Sequence, residues 1–322
     1  MGRLGEGNFG YERAFKVRRI AVSVGDLNGI GIELILKNHH LVTKMVEPIY
    51  MIDEVMLNRA SQLLNIPIPS NFRIVDRVVK PFEIEAGKIS KGSGVYSFGS
   101  FLKGVEMARG FEVDGLFTMP IHKKAWELAG VRYRGHTEAL RGIFFKDAIM
   151  MLGVPEMFVA LYTEHIPLQE VSRRVQNVER LTNFLIDLSY SIELEEGETV
   201  ALLGLNPHAG DSGVLGDDEK YILEARELAH RVLGRTVYTP PLVPDTAFTP
   251  NIRKRYRYFV AMYHDQGLAP LKALHFDESI NISLNLPILR VSVDHGTAFD
   301  IAYRGGRELN SLSYLNGIRY LA

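Results

Sequence analysis

The chain has 322 residues, with 37 basic and 38 acidic side chains, 46% apolar residues and no cysteine. That length suits two domains or one large α/β unit with a substantial core, and the balanced charge gives no global electrostatic reason to bind nucleic acid or an anionic membrane. Without cysteine there can be no disulfide, Cys-based zinc site, iron–sulfur cluster or thiol nucleophile, so redox or soft-metal chemistry falls to histidine, carboxylate or a bound cofactor, and a cytoplasmic location is expected.

Residues 1–18 are polar and Gly-rich and read as an N-terminal tail. No apolar run approaches the roughly 18 to 20 residues that cross a bilayer. From residue 19 onward, short β-branched or apolar runs alternate with segments of helical period, the pattern of parallel strands joined by crossover helices. The expected strands are 19–24, 48–52, 115–118, 157–162, 199–203, 258–262 and 288–293. The first leads into GDLNGIGIEL, a Gly-rich turn entering a helix. Its glycines suit either a close approach to an anion or a structural left-handed turn, and its spacing matches neither the dinucleotide nor the P-loop fingerprint. Residues 86–100, AGKISKGSGVYSFGS, are the best candidate for a loop or linker, with a second boundary near Gly135. GHTEAL places His136, Thr137 and Glu138 where a helix starts. Residues 168–191 and 217–233 carry apolar side chains at helical spacing and are expected to cover the sheet.

The chemistry concentrates after the strands. His122, His165, His208, His264 and His295 each follow an apolar run, where parallel α/β sheets place ligands. His165, His208 and His264 are candidates for three ligands of one divalent metal with a fourth position open to substrate. They are far apart in sequence and no local motif such as H-E-x-x-H supports them, so loop histidines satisfied by backbone or water remain the competing reading. Lys272, Asn281 and Arg290, taken with His136 and Thr137, suit a phosphorylated, acidic small substrate. Asp245 and Asp265 are candidate acid/base or supporting groups, or simple caps. VDHGTAFDIA puts Gly296 and Thr297 after a strand, where Thr297 would serve as a helix N-cap.

Taken in order, GDLNGIGIEL, TMPIHKKAW, GHTEAL, MMLGV, TEHIPL, GLNPHAGDSG, PDTAF, AMYHDQGLAPLK and NISLNLPILRVSVDHGTAFD resemble the 4-hydroxythreonine-4-phosphate dehydrogenase family of pyridoxal phosphate biosynthesis. The resemblance runs from about residue 20 to 305. It implies an α/β fold of two α/β/α domains of the isocitrate and isopropylmalate dehydrogenase type, one built from 19–134 plus 296–322 and the other from 135–295. It also implies a homodimer with active sites at the interface, where His165, His208 and His264 from both subunits hold a divalent metal such as zinc, cobalt or magnesium. The family's substrate positions fall on His136, Thr137, Lys272, Asn281 and Arg290.

The implied reaction is oxidation of the C3 hydroxyl of 4-phosphooxy-L-threonine by NAD, with NADP also open, followed by decarboxylation to 3-amino-2-oxopropyl phosphate. The general base is open among Asp245, Lys123 and metal-bound hydroxide. HGTAFD is similar to the adenine-side loop of isopropylmalate dehydrogenases and so places His295, Gly296 and Thr297 near the cofactor. The first turn departs from the family's usual PGEPAGIGPE: Asp26 takes the acidic position and both prolines are absent. Two alternatives keep the fold, a dehydrogenase of D-threonate or D-erythronate 4-phosphate and a non-catalytic metabolite-binding relative.

Overall fold

The computed structural model describes residues 17–305 and 309–322. Most of the expected tail, residues 1–16, lies outside the described residues. The described chain forms one mixed sheet of nine strands flanked by helices. The strands are β1 (Arg19–Ser23), β2 (Glu47–Met51), β3 (Gly115–Thr118), β4 (Ile149–Val154), β5 (Met157–Leu161), β6 (Ala201–Leu202), β7 (Tyr258–Ala261), β8 (Ile280–Leu284) and β9 (Arg290–Val293). Their spatial order is β2-β1-β3-β9-β8-β4-β5-β7-β6.

All seven expected runs become strands, but β4 and β8 were not foreseen, and they overturn the expectation of a wholly parallel sheet. The pairs β9–β8, β8–β4 and β4–β5 are antiparallel. The links are the reason: only residues 155–156 join β4 to β5, and 285–289 join β8 to β9. A parallel crossover needs a dozen residues or more. Three reversals across the middle leave β5, β6 and β7 running opposite to β1, β2, β3 and β9. The carboxyl-end loops of the two halves therefore leave opposite edges of the sheet.

The central strands are apolar on both faces because helices cover both. Every residue of β3, β4, β5 and β7 is buried. Alternation sorts side chains between the faces. Phe117 meets Tyr314 of the Leu312–Leu321 helix on one side, with ring centroids 5.1 Å apart. Leu116 shares the opposite face with Phe101 and Trp126.

The expected linker at 86–100 is instead the start of a long helix, Lys91–Arg109, capped by Ser90, whose hydroxyl accepts from Ser93 N at 3.1 Å. Its small residues permit close packing rather than flexibility. A Cβ at Gly94 would fall 1.9 Å from the Ala125 carbonyl oxygen, Ser97 accepts from Trp126 Nε1 at 2.9 Å, and Ser100 donates to the Met51 carbonyl at 2.7 Å. The expected helix at 168–191 is broken into Leu168–Glu170, Val171–Val175 and Val178–Ser191, because the Asn177 side chain accepts from Arg180 N and starts a new helix. The segment 217–233 is helical as Glu219–Leu233. Thr297 begins no helix; its carbonyl accepts from Ile30 N at 3.1 Å. No helix among the described residues is long and apolar enough to cross a membrane.

Candidate active site

A cavity of about 1060 Å³ lies where β3, β9, β8, β4 and β5 meet. It is lined by Lys123 at the start of the Lys123–Leu128 helix that follows β3, by His136 and Thr137 at the start of the His136–Phe144 helix, and by His165 after β5. Asn281 of β8, Arg290 of β9, and His295 and Gly296 after β9 complete the wall. The antiparallel centre makes this possible by bringing the beginning of β8 beside the end of β9, with Ile280 opposite Val293.

Arg290 dominates one end. It is 2% exposed, and its Nε and Nη2 donate to Thr118 Oγ1 at 3.1 and 2.6 Å while Nη1 donates to Ser283 Oγ at 3.1 Å. No carboxylate pairs with it among the described residues. Burial pushes the guanidinium down to about 9, so it stays cationic at neutral pH. A buried cation held only by hydroxyls is expensive unless an anion completes it.

His136 is buried beside it, between the rings of Phe101 and Trp126, with centroids 4.9 and 5.3 Å away. Burial, and secondarily the charge of Arg290, hold this imidazole well below the ordinary histidine range, so it is neutral. Its Nε2 has no hydrogen-bond partner, nor do Asn281 Oδ1 and His295 Nε2. Three of the five buried side-chain polar atoms without partners among the described residues thus belong to one cavity. Buried polar atoms are normally satisfied, so their convergence around a cation marks a site for a small, polar, anionic ligand.

The imidazole groups occupy a different neighbourhood. His165 and His264 follow the adjacent parallel strands β5 and β7, and their ring centroids are 5.5 Å apart. Burial lowers the His165 pKa, against the opposing charge of Glu164. Arg141 clamps that same Glu164 and also donates to the Ala148 carbonyl at 2.6 Å, tying the His136–Phe144 helix to the residue before His165. His208 lies on the turn Pro207–Gly213, where His208, Ala209, Asp211 and Ser212 have φ of 53, 51, 42 and 57°. The left-handed region costs a non-glycine residue about 1–2 kcal/mol, so this turn has to be held from outside. Among the described residues of the single chain, no three His, Cys, Asp or Glu groups come together as a metal site. The chain brings two of the three candidate imidazoles together and leaves His208 apart.

The remaining candidates divide as follows. Lys123, His295 and Gly296 line the cavity; His208, His264, Lys272, Asp245 and Thr297 do not. Lys272 donates to the Asp294 carbonyl at 3.0 Å and pairs with the Asp294 carboxylate, which also accepts from Ser279 Oγ at 2.5 Å. Asp245 is exposed on the short helix Pro244–Ala247. The Gly-rich first turn is buried, and a Cβ at Gly29 would fall 2.7 Å from Thr297 O, so this glycine serves close packing. Its Asp26 accepts from Asn28 N and Ser93 Oγ at 3.0 and 3.1 Å, and burial raises its carboxyl to about 6. Sequence reasoning missed Thr118, Ser283 and Arg141; the first two were visible only as hydroxyls inside the apolar runs GLFT and NISL.

A sequence-family model described as "Pyridoxal phosphate biosynthetic protein PdxA" matches residues 44–320. A 4-hydroxythreonine-4-phosphate dehydrogenase of Sulfurimonas denitrificans is 54% identical over 94% of this chain and 96% of its own length. Another, of Campylobacter fetus subsp. fetus, is 48% identical over 94% of this chain and 96% of its own. The crystal structure of a 4-hydroxythreonine-4-phosphate dehydrogenase from Klebsiella pneumoniae superposes with a TM-score of 0.79 at 31% identity, covering 95% of this chain and 97% of that one.

Proposed function

The chain belongs to the PdxA family of pyridoxal phosphate biosynthetic proteins, and from that premise we propose how its cavity serves the reaction. The reaction is NAD-dependent oxidation of 4-hydroxythreonine 4-phosphate followed by decarboxylation. The observation that carries the site assignment is the buried Arg290 guanidinium, without a carboxylate partner and surrounded by unpartnered polar atoms.

Arg290 takes an anionic end of the substrate, exchanging the penalty of an isolated buried cation for a charge-assisted pair. Thr137, in the first turn of its helix, adds a hydroxyl and the positive end of the helix dipole. Neutral His136 and Asn281 each offer an otherwise unused hydrogen bond to the substrate's polar groups. Together they hold the substrate so that its C3 hydroxyl faces the His165 end of the cavity, with Lys123 on the same wall placed to exchange a proton. His295 and Gly296 border the space left for the nicotinamide cofactor. The keto acid formed has its carboxylate β to the carbonyl, so carbon dioxide leaves as the carbonyl oxygen takes up charge, giving 3-amino-2-oxopropyl phosphate.

The donor chemistry at His165 suits a divalent ion, because burial favours the neutral imidazole that a metal requires and His264 lies beside it. We assign His165, His208 and His264 to one such site, shared between two copies of the chain. When bound, zinc, cobalt or magnesium would supply Lewis acidity at the substrate, and NAD would supply the hydride acceptor. Each copy is read as two α/β/α units of the isocitrate and isopropylmalate dehydrogenase type, 19–134 with 296–322 and 135–295, joined along the β3–β9 pair. Lys272 supports the site through Asp294, and Asp245 is available only to a site other than the cavity of its own chain.

A turnover panel following NADH absorbance tests the reading. Activity on 4-phosphooxy-L-threonine is expected; activity confined to D-threonate or D-erythronate 4-phosphate would replace the amino acid by a sugar acid in the same cavity.

A further inference from the structure

Glu219 is 8% exposed, and no cation pairs with it among the described residues. Its Oε1 accepts from Leu205 N and Asn206 N at 2.9 and 2.8 Å, and its Oε2 accepts from Asn206 Nδ2 at 3.0 Å. Those donors belong to the two residues directly before the left-handed turn Pro207–Gly213. We propose that Glu219 is a positioning residue for His208: its buried carboxylate gathers the Leu205 and Asn206 amides and the Asn206 carboxamide, and so fixes the strained turn that presents the imidazole.

The surrounding contacts fit this role. Asn206 Nδ2 also reaches Asp218 Oδ2 at 3.1 Å, and Asp218 accepts from Ser172 Oγ at 2.7 Å, anchoring the clamp to the Val171–Val175 helix. On the other flank, Gln266 Nε2 donates to the Gly204 carbonyl at 2.7 Å while its Oε1 accepts from Met262 N at 2.7 Å. The residues before His208 are thereby tied to the strand end that precedes His264. Three donors converge on two oxygens, so only a carboxylate satisfies them all. A glutamine of the same shape could keep its oxygen on the two backbone amides only by turning its NH2 group against the Asn206 carboxamide, and its neutral oxygen is a weaker acceptor for those amides than a carboxylate. The inference rests on reading His208 as a metal ligand.

In the assembled full-length protein, Glu219→Gln is expected to speed hydrogen exchange at the Leu205 and Asn206 amides by about tenfold or more. The same change is expected to weaken Co2+ binding, followed by calorimetric titration and the cobalt absorption spectrum, by about 10- to 100-fold. His208→Ala should lose more Co2+ affinity and leave exchange at those two amides unchanged. Unchanged exchange in Glu219→Gln overturns the clamp, and faster exchange with full Co2+ affinity overturns its link to His208. Undiminished Co2+ affinity in His208→Ala removes the metal reading and the proposal with it, whereas a failure confined to Glu219→Gln leaves the metal reading standing. Should Glu219→Gln not fold, Asn206→Ala decides: a smaller shift in both readouts supports the clamp, and none overturns it.

Discussion

The two ends of the site are built by different means. The Arg290 end is complete within one chain: strands supply the side chains, burial fixes them, and the guanidinium is oriented by Thr118 and Ser283 before any ligand arrives. The imidazole end is carried on loops, with His165 and His264 adjacent, His208 elsewhere, and a strained turn held from a distance by Glu219. A rigid sheet can prepay the orientation of an anion pocket, because buried hydrogen bonds restrain every rotamer. Ligands on loops keep the freedom to be assembled by a cation or by a second copy, and they pay for it with weaker preorganisation.

Arg290→Met is the strongest way to break the first half of that contrast. Truncating one partner of a buried charge pair costs 2–5 kcal/mol or more, so kcat/KM is expected to fall by roughly a thousandfold. Stability should hold or rise, because the methionine removes a buried cation that no carboxylate offsets. Thermal unfolding beside steady-state kinetics checks both. A collapse of the melting temperature together with activity would mean that Arg290 is structural.

Chelation probes the other half. EDTA treatment of the assembled protein is expected to lower turnover by about a hundredfold or more, as loss of Lewis-acid assistance should, with recovery on adding Co2+ or Zn2+. Inorganic phosphate should still raise the melting temperature of the chelated protein, since the Arg290 pocket needs no metal. If chelation abolished that protection too, the two ends would be one cooperative unit.

The sequence exposed these two ends unequally. His165, His208 and His264 stand out because each follows an apolar run, and Arg290 stands out as a charge in a strand. Its isolation could not be read, because its hydroxyl partner Thr118 is 172 positions away. The strands β4 and β8 escaped the reading of local runs, and their direction is set by the short links 155–156 and 285–289 rather than by composition. The Lys91–Arg109 helix escaped because serine and glycine signal a linker in isolation and a tight interface once Trp126 and Ala125 lie against them. The outline of the sheet follows from local pattern, while the antiparallel seam that shapes the cavity is a tertiary property.

A milder test uses protons. His136 is neutral and buried, with its pKa held well below the ordinary value. The unfolded chain protonates this residue near pH 6.5 and the folded chain does not. Its contribution to stability is therefore present above pH 6.5 and is lost as pH falls, at about 1.4 kcal/mol per pH unit once the unfolded group is fully charged. Burial lowers His39, His122, His165, His230 and His295 in the same direction. Asp26, raised to about 6, opposes them: its extra folded-state proton adds stability as pH falls from about 6 toward the unfolded carboxyl value. Urea midpoints should fall between pH 7.5 and 5.5, and His136→Asn should remove about one proton from that slope. A His136→Asn slope equal to that of the unaltered protein would show that this imidazole is accessible.

Lys272 offers the smallest effect and the finest discrimination. As a substrate ligand it would lie on the cavity, yet it is paired with Asp294, immediately before His295. If Lys272 acts through that carboxylate, Lys272→Met leaves a largely buried charge held only by Ser279 and displaces the segment carrying His295. We expect KM for NAD to rise by about tenfold, in keeping with the loss of a supporting contact worth 1–2 kcal/mol, with a smaller change in kcat. Asp294→Asn removes the charge and keeps an oxygen for Ser279, so the double variant should recover most of the loss, a coupling that a double-mutant cycle measures directly. A lysine that touched the substrate would behave otherwise: Asp294→Asn would rescue nothing, and the KM for the phosphorylated substrate would rise instead of that for NAD.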